Sequence, residues 1–192
     1  MGKVLEIRWH GRGGQGAKTA ALLLGEAASA AGKYIQAFPE YGPERMGAPV
    51  LAFNRISDEP ITVHCHVASP GIIVVLDPTL IRTGSVTAGA PEDAVYVINT
   101  PLDPSEMRKK LGVRSGKVFT VDAMQISLDC LGRAIPNTPM IGALIRATGL
   151  MKLEDFVADT RRKLEKKFGS KPGVVEGNIK AIERAYQEVR GE

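Results

Sequence analysis

The chain has 192 residues, 44% hydrophobic and 24% charged, which is enough for one globular domain with a full core. Its net charge of +4 is spread along the chain and only 5% of residues are aromatic, which argues against nucleic acid as a partner. No run approaches the roughly 18 consecutive apolar residues of a membrane span, and residues 1–10 lack the apolar stretch of a secretory signal, so a cytoplasmic location is expected.

Leu5, Ile7 and Trp9 alternate with Glu6, Arg8 and His10, the pattern of a strand with one buried face. The next segment, His10-Gly11-Arg12-Gly13-Gly14-Gln15-Gly16-Ala17-Lys18-Thr19, leads into an alanine- and leucine-rich helix expected over Ala17–Ala31 and stopped at Gly32. A strand, a glycine turn and a helix start bring backbone N–H groups and the positive helix end to one point. Arg12, Lys18 and Thr19 add charge and a hydroxyl, so a phosphate-bearing ligand is the expected occupant. Residues 11–16 satisfy GxGxxG in its proper context. An NAD site also needs an acid at the end of the second strand, expected over Tyr34–Phe38, where Gln36 and Ala37 stand instead. The pattern GxxxxGK[ST] fails because Ala17 separates Gly16 from Lys18. Two readings of the turn stay open, a phosphate cradle and a packing device.

A loop rich in turn formers and charges follows from Pro39 to Pro49 and includes Arg45. Val50–Ile56 and Ile61–Val67 are predicted to form a hairpin around Asp58-Glu59-Pro60, with His64 and His66 on one solvated strand face. Ile72–Asp77, Ala94–Asn99 and Lys117–Val121 have the short apolar character of strands buried on both faces of a parallel sheet. Asp77 imitates the magnesium-holding aspartate of nucleotide-triphosphate enzymes, although strands of parallel sheets often end in Asp. Helices are expected over Ala123–Ala134 and Met140–Thr148, the latter introduced by Thr138-Pro139 and stopped by Gly149. Leu153, Phe156, Val157, Leu164 and Phe168 mark one face of a charged helix, and Val175, Ile179, Ile182, Tyr186 and Val189 mark a last one. The basic run Arg161–Lys167 is expected to be a solvated surface. The alternation defines an α/β protein with a mostly parallel sheet. Cys65 and Cys130 are far apart and supply no set of cluster ligands.

Three separated motifs are shared with one family: residues 9–18, residues 36–49 and Asn137-Thr138-Pro139-Met140-Ile141-Gly142-Ala143-Leu144. Across nearly its whole length the chain resembles the gamma subunits of 2-oxoacid:ferredoxin oxidoreductases, the pyruvate enzyme most of all. The resemblance implies a single Rossmann-like three-layer domain with C-terminal helices. It implies a hetero-oligomer with alpha, beta and delta subunits that decarboxylates a 2-oxoacid, passes the acyl group to coenzyme A and sends electrons to ferredoxin. Thiamine diphosphate, magnesium and iron–sulfur clusters are then expected on the partners, and the isolated chain is expected to be inactive. For this chain it leaves coenzyme A, with Gly11, Arg12, Gly13, Gly14, Gln15, Gly16, Lys18, Thr19 and Arg45 around its phosphates and no catalytic or metal-binding residue. Related enzymes for 2-ketoisovalerate or 2-oxoglutarate, and a ligand-free scaffold, are the alternatives.

Overall fold

A computed structural model of the chain describes residues 4–40, 46–83 and 86–192. The first strand, β1 (Leu5–Arg12), runs into α1 (Ala17–Ala30), and two strands follow, β2 (Tyr34–Pro39) and β3 (Pro49–Ser57). Next come β4 (Ile72–Val75), a 3-10 turn (Pro78–Thr83), β5 (Val95–Asn99), α2 (Pro104–Leu111) and β6 (Lys117–Val121). Four helices, α3 (Ala123–Leu131), α4 (Asn137–Thr148), α5 (Leu153–Phe168) and α6 (Pro172–Glu188), and a short β7 (Arg190–Gly191) complete the described residues.

The strands form one sheet in the order β2-β3-β1-β4-β5-β6-β7. The inner strands β1, β4, β5 and β6 are parallel, and the flanking pairs β1–β3, β2–β3 and β6–β7 are antiparallel. The expected mostly parallel core is therefore present, inside antiparallel borders. Strand alternation divides the apolar residues between two layers. Ile7, Trp9, Val74, Leu76 and Val97 pack with α1, α4 and α6, whereas Ile73, Val75, Ile98 and Val118 pack with Met107 and Leu111 of α2. The C-terminal helices thus thicken one face.

One buried polar link ties the sheet to α1. Trp9 Nε1 donates to Asn54 Oδ1 at 2.8 Å, and Asn54 Nδ2 donates to the Ala21 carbonyl at 2.8 Å. Both groups are satisfied without water, so they fix α1 over β1 and β3 at little cost.

The hairpin expected over residues 50–67 does not form. Val50–Ile56 lies within β3, but the partners of β3 are β1 and β2. Residues 61–67 form no strand and do not join the sheet, and their Val63 carbonyl accepts from the side chains of Gln36 and Arg55. Side-chain amide and guanidinium groups take the place of a backbone ladder. His64 and His66 are accordingly exposed on a loop rather than on a strand face. α3 ends at Leu131, before Ala134, because Gly132 adopts φ +64° and closes the helix. α4 begins at Asn137, one turn before Met140. The basic run is partly tied down: Lys163 is ion-paired with Glu26 and Asp159, and Arg161 with Glu176.

Candidate functional site

The glycine turn is the continuation of β1 beyond the sheet. Gly11 still pairs with Val50 and Arg12 with Pro49. Gly13 N–H then donates to the Ala48 carbonyl at 2.9 Å, while its own carbonyl accepts from Gly47 at 3.1 Å. Gly14 and Gly16 adopt φ +97° and +82°, a region that L side chains enter only with strain. A Cβ on Gly16 would lie 2.7 Å from Asn137 Nδ2 at the start of α4, so glycine is required there for space as well as conformation.

Gln15 folds the turn back on itself. Its N–H donates to the Arg12 carbonyl at 3.0 Å, and its side-chain Oε1 accepts from the Arg12 N–H at 2.8 Å. Its Nε2 donates to Asp77 Oδ2 at 2.9 Å. Asp77 also receives Arg12 Nε at 3.1 Å, and its other oxygen receives the Thr79 N–H and hydroxyl. Arg12 completes its own coordination with the Gly47 carbonyl and the Thr79 hydroxyl. The aspartate that imitates a magnesium ligand in the sequence is thus the anchor of the turn. Burial alone would raise its pKa, but hydrogen bonds from Thr79 and Gln15 and the charge of Arg12 outweigh it and hold the carboxyl below its ordinary 3.8. The stability it contributes is present above that value and lost as pH falls through the depressed folded pKa. An Asp77→Asn chain is expected to be about 1–2 kcal/mol less stable at neutral pH. In urea titrations the difference should close in acid; a gap that persists unchanged at pH 2 would show that the carboxylate charge is not its source.

Among the described residues, the start of α1 has no side-chain cap. Its N-cap is Gly16, with no side chain to satisfy the first-turn N–H groups. Gly14, Lys18 and Thr19 are exposed there, beside a cleft of about 440 Å³. Gly13, Gly16, Ala17, Lys18 and Thr19 line it with Pro39, Met46 and Leu51 of the neighbouring strands and loop. The structure therefore brings Gly11, Arg12, Gly13, Gly14, Gln15, Gly16, Lys18 and Thr19 together. Arg12 and Gln15 are engaged by Asp77, and the backbone with Lys18 and Thr19 faces the cleft. Arg45 lies outside the described residues.

Two neighbours of the turn were given no part in the site by the sequence reading. Asn137 braces Gly16; it was visible as the first residue of the third shared motif, but spacing alone does not bring it to the glycine turn. Beneath the turn on β1, buried His10 accepts through Nε2 from Arg8 Nε at 2.9 Å, and Arg8 donates onward to the Val86 and Ala88 carbonyls. Burial first, and the Arg8 charge second, bring the pKa of His10 down to about 3, so it is neutral at pH 7.

A mixed α/β sheet whose first strand ends in a glycine turn, followed by a helix that starts over a cleft, defines a domain of the Rossmann-like class. The chain belongs to the pyruvate ferredoxin/flavodoxin oxidoreductase family, whose model matches residues 6–188. It is 50% identical over 190 residues to pyruvate synthase subunit PorC of Thermotoga maritima, covering 98% of this chain and 96% of that protein. It is 44% identical over 187 residues to the pyruvate/ketoisovalerate oxidoreductases common subunit gamma of Pyrococcus abyssi, covering 97% and 98%. The crystal structure of the pyruvate oxidoreductase subunit PORC from Thermotoga maritima superposes with a TM-score of 0.86 at 47% identity, over 99% of each chain. The resemblance to gamma subunits read from the three motifs is borne out by these full-length matches.

Proposed function

We propose that the chain is the gamma subunit of a cytoplasmic pyruvate:ferredoxin oxidoreductase, folded as one domain, and that its glycine turn holds phosphates of coenzyme A. The reaction converts pyruvate, coenzyme A and oxidised ferredoxin to acetyl-CoA, carbon dioxide and reduced ferredoxin. Alpha, beta and delta subunits carry thiamine diphosphate with magnesium and the iron–sulfur clusters, which supply decarboxylation and electron transfer. Among the described residues here, no group of three or more His, Cys, Asp or Glu could hold a metal, and no helix is long and apolar enough to cross a membrane. The name of the Pyrococcus relative, a subunit common to pyruvate and ketoisovalerate enzymes, supports a second reading in which a branched 2-oxoacid is the substrate and other subunits choose it.

The observation that carries the proposal is the uncapped α1 start, with left-handed Gly14 and Gly16, opening on a cleft beside Lys18 and Thr19. A diphosphate there would take the first-turn N–H groups, the half-charge of the helix end and the Lys18 ammonium. In the reconstituted complex, Lys18→Ala is expected to raise the KM for coenzyme A about threefold to tenfold, more at low salt, with little change in the KM for pyruvate. Gly14→Val forces a β-branched residue to positive φ and should raise it further by deforming the turn. Unchanged coenzyme A dependence in both variants, after normal assembly, would make the turn structural. The Arg12–Asp77–Gln15 lock would then be its purpose and the chain an assembly scaffold.

A further inference from the structure

The sheet ends differently on its two sides. Beyond β6 it is closed by β7, whose Arg190 is ion-paired with Asp103 and whose neighbour Glu192 is ion-paired with Arg108. Beyond β3 it ends at β2. The Glu40 N–H donates to the Leu51 carbonyl at 3.0 Å, which fixes the phase of the β2–β3 ladder: Tyr34, Gln36 and Phe38 turn their backbone groups toward β3, and Ile35 and Ala37 turn theirs outward. Among the described residues no hydrogen bond reaches those outward groups. The flanking positions add no donor, because the Lys33 N–H is given to the Ala28 carbonyl and Pro39 has none.

As an edge strand β2 is poorly guarded. Tyr34–Pro39 carries no charge, and its proline stands only at the last position. Tyr34, 49% exposed, and Val63, 46% exposed, are two of the five large apolar side chains left open among the described residues, and both border this edge on one face of the sheet. On that face Phe38 packs against the Phe53 ring with centroids 5.4 Å apart, so an aromatic row begins on β3 and stops at the edge.

We infer that this edge receives a second copy of the chain, β2 against β2 in antiparallel register about a two-fold axis at Gln36. Ile35 of one copy then faces Ala37 of the other on both sides of the axis, and the two donors of each strand form four N–H···O=C bonds. The same register sets Tyr34 of one copy opposite Phe38 of the other and extends each aromatic row across the join. In the neighbouring antiparallel registers Tyr34 meets Gln36 or Glu40 instead, and the row is lost. Because β1 and β2 are both antiparallel to β3, they run parallel to each other, and the antiparallel join sends the two glycine turns to opposite ends of the shared sheet. Each copy keeps its turn open to its own set of partner subunits.

The test uses the full chain carrying Cys65→Ser and Cys130→Ser, with either Gln36→Cys or Tyr34→Cys added, and copper phenanthroline as oxidant. At the axis the two copies of position 36 form a non-hydrogen-bonded pair with Cα atoms about 4.5 Å apart, within disulfide reach, whereas the two copies of position 34 are out of step by about 13 Å. Gln36→Cys should therefore give roughly tenfold more covalent dimer than Tyr34→Cys, although position 34 is the more exposed. In sedimentation the unaltered chain should dimerise with a midpoint of about 10–100 μM, as suits a small interface, and Tyr34→Lys should weaken this about tenfold by setting a charge against Phe38. Equal cross-linking at the two positions, or a dimer that Tyr34→Lys leaves untouched, would place the association on another surface and overturn the assignment. A chain that stays monomeric at about 1 mM and forms no disulfide through Gln36→Cys overturns it as well. In the reconstituted complex Gln36→Cys should cross-link as it does in the free chain; its failure there would show that another subunit takes the edge, and the assignment would fall for the enzyme.

Discussion

Lowering the pH from 7 to 4 is expected to destabilise this chain by about 3 kcal/mol through one side chain, His10. The imidazole is 2% exposed and accepts from Arg8 Nε, so burial and a neighbouring cation both disfavour a proton on it. Its folded pKa is about 3, against 6.5 when unfolded. The unfolded chain therefore takes up a proton that the folded one refuses, and each pH unit below 6.5 costs about 1.4 kcal/mol until the folded pKa is reached. The sign is the reverse of a histidine stabilised by a carboxylate. Urea midpoints measured from pH 7.5 to 4 should fall steeply in the wild type. In His10→Gln, whose side-chain oxygen can still accept from Arg8, they should stay nearly level down to the carboxylate range. Parallel profiles for the two chains would contradict the assignment of a neutral, buried His10.

Replacing Gly142 by Val is expected to cost about 3 kcal/mol or more, the upper end of overpacking effects. A Cβ at this position would stand 2.2 Å from the Ile182 carbonyl oxygen of α6, backbone that cannot rotate away. The helices would have to separate, and α4 carries Asn137 against Gly16 at its other end. The loss should therefore appear twice, as a lower urea midpoint for the chain and as a higher KM for coenzyme A in any complex that assembles. An unchanged midpoint would contradict the close α4–α6 approach. The motif Asn137–Leu144 is thereby explained from both ends: Gly142 lets α4 seat on α6, and Asn137 delivers that seat to the glycine turn.

These two positions show what is legible in a sequence and what is not. Alternation in residues 5–9 and the apolar runs near Ile72, Ala94 and Lys117 exposed the inner strands, because burial on a pleated sheet leaves a period in the chain itself. Gly32 and Gly149 announced helix ends, since left-handed caps favour one residue type. Residues 61–67 have the same apolar alternation and yet form no strand. Which β-capable segment pairs with β3 is decided by competition in space, and β2 and β1 occupy both of its edges. The site divides in the same way. Its glycines and Lys18 were visible as a contiguous motif, but the partnership of Arg12 and Gln15 with Asp77 spans more than sixty residues and follows only from the parallel placement of β4 beside β1. Long-range hydrogen bonds leave no spacing to read. His10 looked like one alternating polar residue of a half-buried strand; it is 2% exposed, and Arg8, itself bonded to the Val86 and Ala88 carbonyls, donates to it.

Hydrogen–deuterium exchange on the assembled complex, with and without coenzyme A, tests the central claim most directly, because it reads the backbone N–H groups that are said to hold the phosphates. Coenzyme A should protect the amides of residues 14–19 by an order of magnitude or more, with Gly16, Ala17 and Lys18 foremost, and leave α2 on the opposite face unchanged. Exchange in residues 14–19 that is the same with saturating coenzyme A as without it would contradict the account.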